Sequence, residues 1–457
     1  MKKALIWIIG LCCFHTASAQ KTLELKTFLG WVKLHHPVAK QSEITVANGK
    51  AALLLARSGF DPRLEGDFSN KTFDGKSYYN HEVYGLRVPT WLGVEVLAQY
   101  ERGQGAFLNP ESNTPADGLY RAGLSLPVGQ GLFFDKRRSE LRKAQLYRDA
   151  AYLEQQTMLN DLLLDAASQY AYWQLSYQEQ QVYQEAVNIS REIMNAVRMS
   201  YQLGDRAAVD TLEARIQLGN WEQRLREAEI KFQENSFKLS IFLWDENGRP
   251  LEISPETIPD TSIQSLRFPP LQSPDDVVLQ HPEFQLYDFK LRQLNFDRRL
   301  AIESIKPKVD LKFYALNQTT RPELIPLQGE QLGFSVQFPL LMREGRGQLK
   351  LNQLERRSTS YDQEMKGNDI RIKLLNANMQ QSQLNRIAET QTQLVDQSLQ
   401  LLAAEKTRFS TGESSIFLLN SREVALVNAR LKALEINMRR QINVLDQWWI
   451  RGNMLEY

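Results

Sequence analysis

The chain has 457 residues, 42% of them apolar and 24% charged, with 55 basic side chains against 54 acidic ones. That composition excludes a disordered, collagen-like or disulfide-stapled chain, and the charge balance offers no basic excess for nucleic acid. After the first twenty residues no stretch reaches 18 consecutive apolar positions, so no helical membrane span is expected there.

Residues 1–19 read as an export signal. Lys2 and Lys3 give a positive start, residues 4–14 are an apolar run, and Ala17-Ser18-Ala19 is a small-residue cleavage site before Gln20. Both cysteines, Cys12 and Cys13, fall inside that run without the preceding small residue that acylation would need. Cleavage would leave 457 − 19 = 438 residues, no cysteine and a net charge of 53 − 54 = −1. A chain delivered to an oxidising compartment without a disulfide must draw its stability from packing or assembly.

The remaining chain repeats itself. His36-Pro37 recurs as His281-Pro282, and a second proline follows each at the same interval, Pro62 and Pro307. Leu126-Pro127 is matched by Phe338-Pro339, and the stretch Tyr201 to Asp205 by Phe409 to Glu413. Arg138 stands as far before Gly204 as Arg346 does before Gly412. Several matches in one order predict a duplicated chain, each half reading helix, strands, very long helix, glycine turn, helix.

The strands alternate. In the first half, a strand expected from Leu92 to Tyr100 sets Val94, Val96, Ala98 and Tyr100 against Glu95 and Gln99. Tyr120, Ala122, Leu124 and Leu126 likewise alternate with Arg121 and Ser125. In the second half Val309, Leu311, Phe313 and Ala315 oppose Lys308, Asp310, Lys312 and Tyr314, while Leu332, Phe334 and Val336 follow the same rule. Segments of about ten residues with this pattern fit a transmembrane β-barrel. They fit a soluble antiparallel sheet with one wet face equally well.

The helices break the tie. Residues 138–203 lack proline and, at 1.5 Å per residue, would span roughly 100 Å, as would residues 346–411. Such helices need partners along their length. Val424, Val427, Leu431, Leu434, Met438, Ile442 and Leu445 mark a coiled-coil seam on the last helical stretch. Residues 244–275 carry six prolines, among them Pro250 and Pro259, and read as an irregular belt joining the halves.

The halves differ in length. The interval from Pro62 to Pro127 is about twice that from Pro307 to Pro339. The surplus makes room either for one more pair of strands, with Asp74-Gly75 as a hairpin turn, or for an extracellular excursion over residues 77–105.

With its signal, repeat, paired strands and glycine turns at Gly204 and Gly412, the chain resembles the TolC-like outer-membrane efflux family over nearly its whole length. The resemblance implies an α+β membrane protein, homotrimeric, with a shared transmembrane β-barrel continued by a long α-helical periplasmic barrel. The expected organisation is a signal over residues 1–19 and a first repeat over 20–243 with strands at about 61–127. A proline-rich connection over 244–275 and a second repeat over 276–457 with strands at about 307–339 complete it. Four strands per subunit would close twelve, six would close eighteen, and closure removes exposed edges in lipid.

The family's periplasmic tips meet an adaptor (membrane fusion) protein, itself coupled to an inner-membrane transporter. The residues that match them are Gly204, Asp205, Arg206, Gly412, Glu413 and Ser414. Glycine tolerates the positive φ of a sharp helix reversal, and Asp205 and Glu413 are expected at the start of the returning helices, where the dipole favours a carboxylate. The family's aspartates six and nine residues after the second tip glycine are here Leu418 and Ser421, whereas the first repeat has Asp210 and Glu213. A constriction formed by these residues with Leu418 and Leu419 turned inward is one expectation, and packing of the leucines between helices is the other.

No catalytic signature is present, and no enzyme activity or cofactor is expected. His35, His36, His81 and His281 stand in no metal-ligand spacing, and the two His-Pro pairs read as helix starts. The expected role is a passive, porin-like exit duct of a tripartite efflux or type I secretion system in the outer membrane, in contact with lipid and with no nucleic acid. The competing reading is a non-conducting envelope spacer built on coiled coils.

Overall fold

The computed structural model describes residues 21–261, 268–270, 272–318 and 329–457. The expected export signal over 1–19 and parts of the proline-rich connection (262–267 and 271) lie outside the described residues.

A short strand β1 (Lys21–Leu23) and helix α1 (Leu25–His35) precede α2 (Pro37–Arg57). Four strands follow: β2 (Arg63–Phe73), β3 (Lys76–Pro89), β4 (Glu95–Gln104) and β5 (Leu119–Pro127). Next come α3 (Lys136–Gln202), of 67 residues and roughly 100 Å, and α4 (Ala208–Ser240). The belt holds β6 (Thr257–Pro259) and leads into α5 (Pro274–Gln280). The second half is α6 (Pro282–Glu303), β7 (Lys308–Asn317), β8 (Gly329–Gln337), the 68-residue α7 (Arg343–Ser410) and α8 (Ile416–Ile450).

The two helix starts match atom for atom. His36 and His281 are N-caps in extended backbone, and each ring Nδ1 accepts the N–H two positions on, Val38 or Glu283, at 3.2 Å. Pro37 and Pro282 fill the first helical position, where a missing N–H costs nothing. An imidazole that accepts at Nδ1 is neutral, with its proton on Nε2. Burial and the neighbouring Lys366 and Lys373 hold His281 neutral down to about pH 4.

One antiparallel sheet contains six strands in the order β2-β3-β4-β5-β7-β8. The surplus chain of the first half therefore enters the sheet, and the excursion over residues 77–105 is not formed. The β2–β3 hairpin turns at Asp74 (φ 52°) and Gly75 (φ 69°), the two positive φ values of a type I′ turn. β3 ends at Pro89, which has no N–H for the ladder and so stands at a strand end. The next strand starts at Glu95, not Leu92. Gly93, with φ 84°, turns the chain, and Thr90 N–H bonds Val94 O at 2.9 Å, so Leu92 and Val94 belong to the turn that joins β3 to β4.

The largest core lies at mid-length of α3. Phe28 and Val32 of α1, Tyr170 and Trp173 of α3, Leu239 of α4 and Val444 and Trp448 of α8 pack there, all fully or nearly fully buried. The belt is tied onto this core. β1 pairs in parallel with β6, Tyr170 Oη donates to Leu23 O at 2.7 Å, and Gln174 Nε2 donates to Asp260 O at 2.8 Å. Trp449 donates Nε1 to Asp161 at 2.6 Å. Smaller apolar clusters continue down the helices towards the tips, where Ile193, Val197, Leu402, Ile416 and Leu426 pack.

Candidate functional site

The register sorts the sheet into two chemically opposite faces. On one, Leu64, Leu86, Ala98, Ala122, Ala315 and the β8 residues Leu332 and Phe334 form a band that continues across all six strands. Its side chains are open to the surroundings, with Leu64 88%, Leu332 72% and Phe334 77% exposed. So much contiguous apolar surface is not left to water. It has the alternation of a lipid-facing barrel wall.

The opposite face carries charge. Arg87 donates to both oxygens of Glu65 (2.9 and 3.0 Å) and to Glu95 (3.4 Å). Arg137, in the first turn of α3, reaches Glu95 at 3.0 Å and so ties the sheet to the helix below. Nearer the far end, Glu101 accepts from Arg121 at 2.7 Å and meets His81 Nε2 at 3.1 Å. Ion pairs of this sort belong against water and against one another, not against lipid. Asp310, Lys312 and Gln99 share this face.

β2 and β8 each have one unpaired edge, and the described residues contain no strand to cover it. The helices show a parallel need. Leu351 and Met365 of α7, and Ile230 and Phe237 of α4, are more than half exposed.

At the other end of the molecule, Gly204 (φ 83°) and Gly412 (φ 81°) occupy the same position in two matching turns. Gly204 N–H bonds Tyr201 O at 3.0 Å and Asp205 N–H bonds Ser200 O at 2.9 Å. Gly412 N–H bonds Phe409 O at 3.2 Å and Glu413 N–H bonds Arg408 O at 2.9 Å. These are Schellman motifs, which need the left-handed residue. Asp205 and Glu413 therefore terminate the descending helices instead of starting the returning ones, which begin at Ala208 and Ile416. Ser415 caps the latter, its Oγ accepting Leu418 N–H at 3.3 Å.

The two tips are joined by Arg206. Its guanidinium lies 3.9 Å over the Phe409 ring, donates to Phe409 O at 3.1 Å and stands 3.9 Å from Asp210. Ser414 is bonded to the buried Glu405. Among the expected tip residues, Gly204, Asp205, Gly412 and Glu413 are the exposed ones. Of the expected constriction residues, Glu213 and Ser421 line one groove of about 420 Å³ between α4 and α8, with Leu212, Ile216 and Phe417. Leu418 is exposed beside it, but Leu419 is 1% exposed within the interhelical core. Leu419 packs there against Ile416 and Leu426 and side chains of the neighbouring helices. Leu203 (76% exposed), Val209 and Phe417 were not singled out from sequence, although apolar residues flanking a solvent turn are a signal of contact.

Residues 94–242 match the family model described as outer membrane efflux protein. A sequence comparison with curated proteins finds no match. Among solved structures, the CmeC outer membrane channel of Campylobacter jejuni is 14% identical with a TM-score of 0.67, covering 94% of this chain and 85% of that one. The open-state MtrE outer membrane channel of Neisseria gonorrhoeae is 15% identical with a TM-score of 0.68, covering 94% and 89%. The outer membrane protein VceC of Vibrio cholerae is 13% identical with a TM-score of 0.67, covering 94% and 96%.

The chain carries the outer membrane efflux fold. The likeness in fold runs over 94% of the chain, and the family pattern covers residues 94–242 within it. No helix among the described residues is long and apolar enough to cross a membrane, so a membrane-spanning reading rests on the sheet alone.

Proposed function

We propose that the protein is a trimeric exit duct of the outer membrane, carrying cargo passively from periplasm to exterior in a tripartite efflux or type I secretion system. The apolar band is then the membrane-facing wall, the charged face the lumen, and the long helices the part below the membrane. The observation that carries this reading is the six-stranded sheet with a continuous apolar outer face, an ion-paired inner face and two open edges. Pairing β8 of one subunit with β2 of the next satisfies both edges, and three copies of six strands close an eighteen-stranded barrel. A barrel of that size leaves an aqueous interior. The exposed apolar stripes of α4 and α7 meet across the same boundaries.

The tips supply the coupling. Gly204, Asp205, Gly412 and Glu413, with the apolar Leu203 and Val209, form the surface offered to a periplasmic adaptor, and through it to an inner-membrane pump. Arg206 and Ser414 hold that surface in shape. Asp210, Glu213 and Ser421 are the polar residues at the narrow end of the tunnel. A non-conducting spacer would have no use for the ladder Glu65–Arg87–Glu95–Arg137, whose charges need water on the inner face.

Conductance of the purified protein in planar lipid bilayers tests the reading. Discrete channels are expected, and their absence under every condition of voltage, salt and pH would leave the spacer.

A further inference from the structure

Resting on the duct reading, we propose that the connection between β4 and β5 (residues 105–118) folds back into the barrel and narrows its outer mouth to an acidic aperture. Gly103 lies on the charged face, paired with His81. A Cβ at Gly103 would point into the lumen and would stand 2.1 Å from Ser112 O and 2.8 Å from the Leu108 side chain. The connection therefore crosses the lumenal surface of β4 at this point.

It is fastened there. Gly103 N–H donates to Thr114 Oγ1 at 2.9 Å, Thr114 N–H donates to Gly103 O at 3.2 Å, and Phe107 N–H donates to Tyr78 O at 3.2 Å. Phe107 also packs its ring 4.7 Å from that of Tyr78. Beneath the connection Glu101 is 8% exposed and held by Arg121 and His81, although it lies on a face that water would otherwise reach. Residues 105–118 contain two carboxylates, Glu111 and Asp117, and no basic side chain. Three such connections around a threefold axis limit what leaves by size, and favour cations over anions.

Cysteine labelling from outside the cell tests this without involving the tips. The chain has no cysteine beyond Cys13, so Ser125→Cys, on the inner face of β5, supplies a single reporter below the mouth. With the native connection, a small maleimide is expected to label it and polyethylene-glycol maleimides to be excluded. Gly103→Ala, and independently Thr114→Val or deletion of residues 106–113, should admit the larger reagents. Glu111→Gln should lower the ratio of labelling rates between trimethylammonium and sulfonate methanethiosulfonates by severalfold. An unchanged size cut-off in all three loop variants would overturn the inference and leave the duct standing. Failure of even the small reagent to reach Ser125→Cys would overturn the duct reading itself, since the inner face would then hold no water.

Discussion

Two glycines and two titratable side chains show what single residues do here. At Gly204 and Gly412 the backbone is left-handed and each N–H closes the motif that ends its helix. Proline at either site would fix φ at about −65° and delete that N–H. Gly204→Pro and Gly412→Pro are expected to abolish export while leaving membrane insertion intact, as read by a transport assay beside heat-modifiable migration of the assembled protein. His281 and Glu423 respond to pH in opposite senses. The unfolded chain protonates the His281 imidazole near 6.5 and the folded chain only near 4, so the stabilisation is complete above pH 6.5 and is lost as pH falls towards 4. The loss is roughly 3 kcal/mol, and His281→Asn, which keeps an N-cap acceptor, should flatten the acid limb of a thermal melting profile. Glu423, 1% exposed on α8, lies beside the indole of Trp221, and burial raises it from 4.5 to about 7 against the opposing pull of the Trp221 N–H and of Lys406. Here the folded state holds the proton longer, so stability is complete below pH 4.5 and declines as pH rises through 7. Glu423→Gln is expected to raise the melting midpoint at pH 8 and leave it unchanged at pH 4.

Among the elements, the β3–β4 pair sets this chain apart from a four-stranded subunit. Val96 pairs with Val88 and Leu124 on the apolar face, whereas Gln99 pairs with Gly85 and Arg121 on the charged one. A charge at the midplane of the lipid face costs about 2–4 kcal/mol. Val96→Arg should therefore reduce the assembled fraction in the outer membrane, and Gln99→Arg should not, as quantified by protease protection. How well elements were legible in sequence follows the range of the interactions that make them. Period-two alternation and the Asp74-Gly75 turn are local, and they marked the strands and the hairpin directly. Apolar alternation extends the expected strand to Leu92 and Val94, because it carries no sign of where the turn at Gly93 interrupts it. β1 and β6 leave no local pattern in the sequence, because their short parallel pairing joins the start of the chain to the belt between its halves. The burial of Leu419 could not be told from exposure by spacing either, since Leu418 and Leu419 are adjacent on one helix and only the neighbouring helices decide which faces inward. Placement of Asp205 and Glu413 failed for a related reason: the Schellman turn closes on these residues, and the next helix begins only after them.

At the scale of the whole molecule, the single chain leaves apolar and hydrogen-bonding surface uncovered at both ends. The sheet has two open edges, and α4 and α7 expose apolar stripes that no part of the described chain covers. The proposed threefold ring would resolve both at once, and would place the Glu65–Arg87–Glu95–Arg137 ladder around a continuous aqueous passage. Cryo-electron microscopy of the protein in lipid nanodiscs tests this most directly, by counting subunits and strands. Three subunits sharing an eighteen-stranded barrel, with Leu332 and Phe334 towards lipid and Arg87 towards the axis, are the predicted result. A monomer, or a twelve-stranded wall with β3 and β4 outside it, would contradict the account.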